Sequence, residues 1–204
     1  MNEKELVTRA QTGDFAAFAE LINAQKNKIY ALVRKLTGNT EDAEDIVQET
    51  FLRAIDKIDQ FRGESSFGTW LYTIALNLTR AEYAKQKQAE LRPIEEYLPT
   101  KGEVGEHSHA GSGLFDWRDP HQILESKQLS SIIDRVLGDL PYKYREAFIL
   151  RYFEELPVKE VARVINESEA ATKSRILRAR LALRDELSEV FRERYDEKVP
   201  RVRK

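Results

Sequence analysis

The stretch EDAEDIVQETFLRAIDKIDQFRGESSFGTWLYTIALNLTR (residues 41–80) contains two helical patterns separated by a polar break. In its first part, apolar or small residues recur at i, i+3, i+4 and i+7: Ala43, Ile46, Val47, Thr50, Phe51, Ala54, Ile55 and Ile58. Its second part starts as a loop with two phenylalanines and becomes a helix that should run to about Lys87. This spacing predicts two helices and no strand.

Residues near its start predict where the first helix begins. Gly38 is expected to stop the preceding helix, and Thr40 is the expected N-cap. Acidic residues follow directly after Thr40, where the positive end of the helix dipole stabilises them. The preceding residues also keep helical spacing, so the N-terminal half is predicted to be entirely helical.

The second helix carries two neighbouring stripes of different chemistry. An apolar stripe at spacing 0, 4, 7, 11 is expected to face the core: Phe67, Leu71, Ile74 and Leu78. A second stripe at spacing 0, 3, 7, 10 contains polar groups: Trp70, Thr73, Asn77 and Arg80. Asn77 and Arg80 offer hydrogen bonds that a core does not need. Trp70 lies on the border, and both a core role and base stacking remain open for it.

The loop before this helix is suited to holding a nucleic-acid base outside a stack. Gly63 and Gly68 permit close backbone approach, and Ser65 and Ser66 supply hydroxyls. Downstream, Tyr83, Lys85 and Lys87 add aromatic and basic groups.

Helical periodicity stops from Pro93 to about Pro120 and returns at Leu129. The interruption is rich in proline, glycine and acids, which is typical of a linker. The predicted fold is therefore all-α, with two small helical domains joined by an acidic flexible linker. The expected boundaries are a first domain at 1–92, the linker at 93–124, a second domain at 125–195 and a basic C-terminal tail at 196–204.

The second domain contains a helix-turn-helix pattern. A short helix over about Val158 to Ile165 should start at Pro157, and Asn166 suits a left-handed turn residue. Ser168 is the expected cap of a long helix from Glu169 to about Arg192. Its first two turns should expose Glu169, Ala170, Thr172, Lys173 and Arg175, while Ile176, Ala179, Leu183 and Leu187 pack inward. The alternative is an ordinary helical hairpin with a solvated basic face.

Composition narrows the class of protein. The net charge of the 204-residue chain is −2, but residues 172–184 hold five bases and no acid, whereas residues 41–59 hold seven acids against two bases. A basic helix is the usual footprint of a phosphate-binding element. With no cysteine and no apolar stretch long enough for a membrane span or signal peptide, a cytoplasmic protein is expected.

Taken together, these segments resemble the extracytoplasmic-function (ECF, group 4) sigma factors of bacterial RNA polymerase. Residues 42–77 look like sigma region 2, and residues 140–184 look like sigma region 4, in the right order and with a linker of suitable size. The resemblance implies a dissociable subunit that binds core polymerase, directs it to specific promoters and assists strand opening. In related factors the linker threads through the active-site cleft and the RNA exit path of the polymerase.

The resemblance also assigns roles to individual residues. The helix DIVQETFLRA (45–54) is implied to bind core polymerase, with contacts from Asp45, Ile46, Gln48, Glu49, Phe51 and Leu52. Recognition and opening of the minus-ten element, with a flipped non-template base in the loop, is implied for Phe61, Ser65, Ser66, Phe67, Trp70, Asn77, Arg80, Tyr83 and Lys85. Reading of the minus-thirty-five element is implied for Ser168, Glu169, Ala170, Thr172, Lys173, Arg175 and Arg178.

Some positions depart from the family pattern, and two other classes of function fit the sequence less well. The family commonly has Gly at the position of Asn166 and often Gly-Thr-Val at positions 170–172, so the promoter sequence does not follow. A stand-alone DNA-binding regulator would leave the 45–54 helix and the loop unexplained. An enzyme would need a nucleophile, phosphate loop or metal cluster that the sequence does not offer.

No catalytic residue, cofactor or metal is expected, and His107 and His109 form only a weak H-x-H metal signal. The expected partners are core RNA polymerase, promoter DNA and an anti-sigma factor, without stable insertion into a membrane.

Overall fold

The computed structural model describes residues 2–90 and 127–198, and the described residues are helical with no strand. The N-terminal half consists of α1 (Glu3–Gln11), α2 (Phe15–Thr37), α3 (Thr40–Lys57), a 3₁₀ turn (Ile58–Gln60) and α4 (Phe67–Glu90). The predicted linker (93–124) and the three histidines lie within residues 91–126, outside the described residues. The predicted C-terminal tail (196–204) is described only as far as residue 198.

Local capping chemistry sets the helix boundaries. Gly38 adopts the left-handed conformation at the end of α2 (φ 72°), which confirms it as the stop. The predicted N-cap at Thr40 was wrong by one residue. Asn39 is the cap, because its backbone is extended and its side-chain oxygen accepts a hydrogen bond from the Glu41 N–H at 2.9 Å. Thr40 already belongs to the helix.

The C-terminal half consists of α5 (Lys127–Asp139), α6 (Tyr142–Tyr152), α7 (Val158–Ile165) and α8 (Glu169–Lys198). Burial on α8 follows the predicted inward stripe of Ile176, Ala179, Leu183 and Leu187. Helix α8 packs on α5, α6 and α7, so the second half forms its own small bundle.

The two halves also pack against each other. Helix α4 contacts α7, and α2 contacts α5 and α6, so one continuous cluster of buried apolar side chains runs through both halves. At one edge of this contact the Arg145 guanidinium donates to the carbonyl of Leu36 at 2.9 Å, near the C-terminus of α2, where the helix dipole favours a cation. Lys35 pairs with Asp134 at 2.9 Å and lies over the Phe153 ring. Periodicity alone did not predict this packing.

Candidate nucleic-acid interface

The helix-turn-helix has the predicted geometry. Helix α7 follows Pro157, whose backbone is extended, and ends at Asn166 in the left-handed region with φ 57° and ψ 52°. The Ser168 hydroxyl accepts a hydrogen bond from the Ala171 N–H at 3.1 Å at the start of α8. These features confirm the predicted short helix, left-handed turn and serine cap, and they fix the angle at which α8 leaves the turn.

The first two turns of α8 differ from the prediction at Thr172 and Arg175, neither of which is fully exposed. Glu169, Ala170 and Lys173 are exposed, as expected. Thr172 is fully buried, with its hydroxyl donating to the Ser168 carbonyl at 2.9 Å, so the expectation that it is exposed was wrong. Thr172 lies one turn before Ile176 and therefore belongs to the inward stripe.

Two arginines at the start of α8, Arg175 and Arg178, have partners within the protein. The Arg175 side chain is only 21% exposed and pairs with Glu146 at 3.4 Å and with Glu167. Arg178 is exposed, and its guanidinium donates to the Tyr144 hydroxyl at 3.1 Å.

The loop before α4 is built on an aromatic cluster. Phe61 and Phe67 are buried, and the half-buried Trp70 ring lies 5.2 Å and 5.6 Å from their ring centroids. This geometry favours the core role for Trp70. From α1, the Gln11 amide holds the loop by donating to the carbonyls of Ile58 and Phe61 at 3.0 Å and 2.8 Å.

The small residues of the loop also have structural roles. The Ser66 hydroxyl accepts from the Thr69 N–H at 3.1 Å and caps α4, whereas Ser65 is half-buried. Gly63 has φ 68°, a conformation that favours glycine. A Cβ on Gly68 would lie 2.9 Å from the Gln25 side chain. Glycine at this position therefore allows the backbone of α4 to approach α2 closely.

The two stripes of α4 are arranged differently from the prediction. Phe67 and Leu71 are fully buried, but Ile74 and Leu78 are only partly buried, and Ala75 and Leu76 are buried in their place. The deviation arises because α4 is covered on two sides, by the N-terminal bundle and by the C-terminal half.

Within the predicted polar stripe, Asn77 and Arg80 have different surroundings. Asn77 is exposed. The Arg80 guanidinium forms a two-pronged pair with Glu146 of α6, at 2.9 Å and 3.0 Å, and also donates to the Ile165 carbonyl at 3.3 Å.

Glu146 is the buried centre of this arrangement, with its side chain only 2% exposed. Burial raises the pKa of Glu146, while the hydrogen bond and charge of Arg80 and the charge of Arg175 act in the opposite direction. Burial likewise disfavours the charged form of Arg80, but the hydrogen bond and charge of Glu146 outweigh it and raise the pKa of Arg80. The contact is therefore a desolvated carboxylate between two guanidiniums.

Tyr83 and Lys85, the last two predicted minus-ten residues, have different surroundings. The Tyr83 ring lies 5.0 Å from the Tyr142 ring of α6 and so takes part in the contact between the halves. Lys85 is exposed and pairs with Glu82 at 3.2 Å.

The helix predicted to bind polymerase presents a single outward stripe. Asp45, Gln48 and Leu52 are exposed, and Glu49 is half-exposed. The four residues follow at spacing 0, 3, 4 and 7 in the order 45, 48, 49 and 52, so they share one face of α3. Leu52 is 59% exposed. Ile46 is buried and Phe51 partly buried, so these two support the face from the core.

Glu146 is the main site residue that sequence reasoning missed. It lies in a run of buried residues, from Arg145 to Leu150, in which an acid is out of place. That misfit was a usable signal, since buried carboxylates need a partner. The partner itself was not predictable, because Arg80 is 66 residues away.

Within the described residues, no group of acidic or histidine side chains has the arrangement of a metal site. None of the described helices is long and apolar enough to cross a membrane.

Comparisons with known proteins agree with this architecture. The chain matches the Sigma-70 region 2 family over residues 21–89 and the Sigma-70 region 4 family over residues 130–183. The fold and site thus define a two-domain sigma factor, a class of non-catalytic transcription initiation factors.

Relatives define the group within that class. The ECF RNA polymerase sigma factor SigW of Bacillus subtilis is 35% identical over 187 residues, covering 92% of this chain and 97% of the relative. The ECF RNA polymerase sigma-E factor of Escherichia coli K12 is 31% identical over 196 residues, covering 94% and 97%. The chain belongs to the ECF RNA polymerase sigma factors.

Solved structures share the fold. CnrH, in complex with the cytosolic domain of CnrY, aligns with a TM-score of 0.65 at 24% identity, covering 92% of this chain and 97% of that one. RpoE of Bartonella quintana, in complex with the anti-sigma factor NepR, aligns with a TM-score of 0.60 at 24% identity, covering 84% and 96%.

As an ECF sigma factor, the protein binds core RNA polymerase, directs it to specific promoters and assists strand opening during initiation.

Proposed function

We propose that three separate surfaces carry out this function: the outer face of α3 binds core polymerase, the loop at 61–66 with α4 engages the minus-ten element, and the start of α8 reads the minus-thirty-five element. The observation that carries the proposal is the pairing, in one chain, of an acidic face around exposed Leu52 with a helix-turn-helix whose second helix exposes basic residues. A DNA-binding regulator acting alone has no need of the first surface.

The polymerase-binding surface consists of Asp45, Gln48, Glu49 and Leu52. Leu52 supplies an apolar anchor, and the two acids beside it suit a basic partner surface. Ile46 and Phe51 pack α3 into the bundle, and they contribute to polymerase binding by fixing the position of this helix.

The minus-ten surface combines exposed polar groups with a supported loop. Asn77 and Lys85 are available for hydrogen bonds and phosphate contact. Phe61, Phe67, Trp70 and Ser66 shape the loop, so that a flipped base meets a preformed backbone. Ser65 adds a hydroxyl to this surface, and Arg80 and Tyr83 complete it once the C-terminal half moves away from them.

The minus-thirty-five surface is the exposed N-terminal part of α8. Glu169, Ala170 and Lys173 are placed to meet base edges, and Ser168 and Thr172 hold the turn and the helix in position. Arg175 and Arg178 extend the surface toward phosphates.

The two domains are proposed to span residues 1–92 and 125–195. The protein is also proposed to act in the cytoplasm without catalysis, and to be controlled by an anti-sigma factor. The last point is supported by the two fold relatives, since RpoE was solved with an anti-sigma factor and CnrH with the cytosolic domain of CnrY.

Run-off transcription tests the proposal directly. Core polymerase is given a genomic fragment library with or without the purified protein, and protein-dependent transcripts are sequenced. We expect a limited set of start sites that share two upstream elements. Tight binding to a specific duplex by the protein alone, with no association with core polymerase, would refute the proposal.

A further inference from the structure

Glu146 pairs with one arginine from the N-terminal half and with one from its own half. From α6 it accepts two hydrogen bonds from Arg80 of α4, at 2.9 Å and 3.0 Å, and one from Arg175 of α8, at 3.4 Å. Arg80 belongs to the proposed minus-ten surface and Arg175 to the proposed minus-thirty-five surface. One buried carboxylate thus occupies a DNA-reading arginine from each half.

A carboxylate that binds a guanidinium with two parallel hydrogen bonds uses the donors that would otherwise meet a phosphate or a base edge. While Arg80 holds Glu146 in this way, its Nε–H and one Nη–H are unavailable to DNA. The pair is also sheltered, because the Arg80 side chain is only 30% exposed.

Two further glutamates of the C-terminal half hold the same face of α4. The Thr69 hydroxyl donates to Glu160 at 3.1 Å, and the Tyr72 hydroxyl donates to Glu154. Thr69, Tyr72 and Arg80 lie at spacing 0, 3 and 11, which places them along one side of the helix. These hydrogen bonds cover the side of α4 that also carries Arg80.

The closed arrangement is incompatible with simultaneous reading of both promoter elements. The minus-ten and minus-thirty-five elements are about 25 base pairs apart, which is roughly 85 Å at about 3.4 Å per base pair. In this structure α7 touches α4 directly, with Glu160 and Thr69 in hydrogen-bond contact. The 36 residues of segment 91–126 have a maximum reach of about 120 Å, enough for the halves to separate to that distance.

The proposed polymerase-binding face is not part of this closed contact. Helix α3 packs on α2, α4 and the 3₁₀ turn, and Leu52 is 59% exposed. Core polymerase therefore has access to the closed form before its DNA surfaces are released.

We infer that Glu146 is the latch of a closed, self-inhibited state, in which it holds Arg80 away from DNA until the halves separate. The inference rests on the proposed function for the DNA role of Arg80. The latch itself, as a contact that keeps the halves together, is testable without DNA.

Fluorescence energy transfer in the full-length chain measures this contact. The chain has no cysteine, so exposed Ala31 of α2 and Ser188 of α8 are each replaced by cysteine and labelled with a dye pair. We expect single molecules of the free protein to show mainly high transfer efficiency, which reports the closed state.

Glu146→Gln keeps the shape of the side chain and removes its charge. Because the partly buried Arg80 then loses its charged partner across the halves, the ratio of low-transfer to high-transfer molecules should rise about tenfold or more. Asp185→Asn is the matched control. It removes an acid that pairs only locally with Arg184, and it should leave the ratio unchanged.

Arg80→Gln breaks the same pair from the α4 side and should open the protein to a similar extent. Combined with Glu146→Gln it should add little further opening, since both substitutions remove one contact. Circular dichroism confirms that each variant is folded, and Arg80→Gln still tests the latch if Glu146→Gln destabilises α6.

Two results would overturn the latch: transfer efficiencies of folded Glu146→Gln and Arg80→Gln that match the unsubstituted protein, or fully additive effects in the double variant. Failure of the proposed function is a separate observation. It would appear as absent promoter-dependent run-off by the unsubstituted protein, whatever the transfer measurement gives.

Discussion

Asn166 and Ser168 determine how the recognition helix begins. Asn166 accepts a left-handed backbone (φ 57°), which most residues other than glycine adopt only at a cost. The family commonly has glycine there, so asparagine satisfies the same backbone requirement by another route. Ser168 then satisfies one of the free N–H groups at the start of α8.

At this scale we predict that Ser168→Ala lowers the free energy of unfolding by about 1 kcal/mol, because the Ala171 N–H loses its cap. Urea unfolding followed by circular dichroism measures the change. Ser174→Ala is the control, since the exposed Ser174 hydroxyl only donates back to the Ala170 carbonyl within the helix. Equal losses in the two variants would contradict a capping role.

Lys173 should affect promoter recognition rather than stability. It is exposed on the second turn of α8, so Lys173→Ala should weaken binding of the holoenzyme to promoter DNA by about 1–3 kcal/mol if a base-edge contact is lost. Competition binding with promoters altered only in the upstream element measures the effect. A variant that still discriminates between upstream sequences to the original extent would remove Lys173 from the reading surface.

At the scale of elements, α3 shows how one helix divides its two sides between core and partner. Ala43, Ile46, Thr50 and Ala54 are buried in the bundle, whereas the acids and Leu52 face outward. The exposed Leu52 beside Asp45 and Glu49 gives this face the mixed apolar and acidic character of the proposed polymerase-binding surface.

Reversing the charge of this face should weaken polymerase binding. We expect Asp45→Lys with Glu49→Lys to reduce affinity for core polymerase by about tenfold or more, because like charges then oppose each other across the interface. Biolayer interferometry with immobilised core polymerase measures it. Glu20→Lys, an exposed substitution on α2, is the control, and normal core binding by the α3 variant would show that the assignment of this face is wrong.

Helix α4 is predicted to separate strand opening from polymerase binding. Asn77→Ala should reduce the rate of open-complex formation by about two- to tenfold, because one hydrogen bond to DNA is lost. Its affinity for core polymerase should be unchanged. Permanganate footprinting of the melted region measures opening. Unlike Arg80, Asn77 is exposed in the closed state, so its substitution should not change energy transfer between the halves. Unchanged opening would exclude Asn77 from the minus-ten surface.

At the scale of the whole molecule, separation of the halves should be required for initiation. Arg163 of α7 donates to the carbonyl of Glu64 at 3.2 Å, and both residues are exposed. We predict that Glu64→Cys with Arg163→Cys, joined by a short bis-maleimide, retains polymerase binding and loses promoter-specific run-off.

The control for this experiment is the same double-cysteine protein capped with a monofunctional maleimide, which should still transcribe. It separates the effect of the bridge from the effect of the two substitutions. Full run-off by the bridged protein would show that the halves need not separate.

The helices, their caps and the order of the two domains follow from the sequence, because each depends on residues close together in the chain. Helical spacing predicted α3 and α7, and turn chemistry predicted Gly38, Asn166 and Ser168. The errors were also local: the cap at Asn39 lies one residue before Thr40, and Thr172 lies on the neighbouring stripe of α8.

Only the tertiary structure decided which polar groups from distant parts of the chain meet. Glu146 pairs with Arg80, 66 residues before it, and with Arg175, 29 residues after it. Periodicity states which side of a helix a residue occupies, but not which distant side chain will face it. Charge pairing between distant elements depends on how the bundles pack, and that packing turned two predicted DNA-reading arginines into partners of one buried carboxylate.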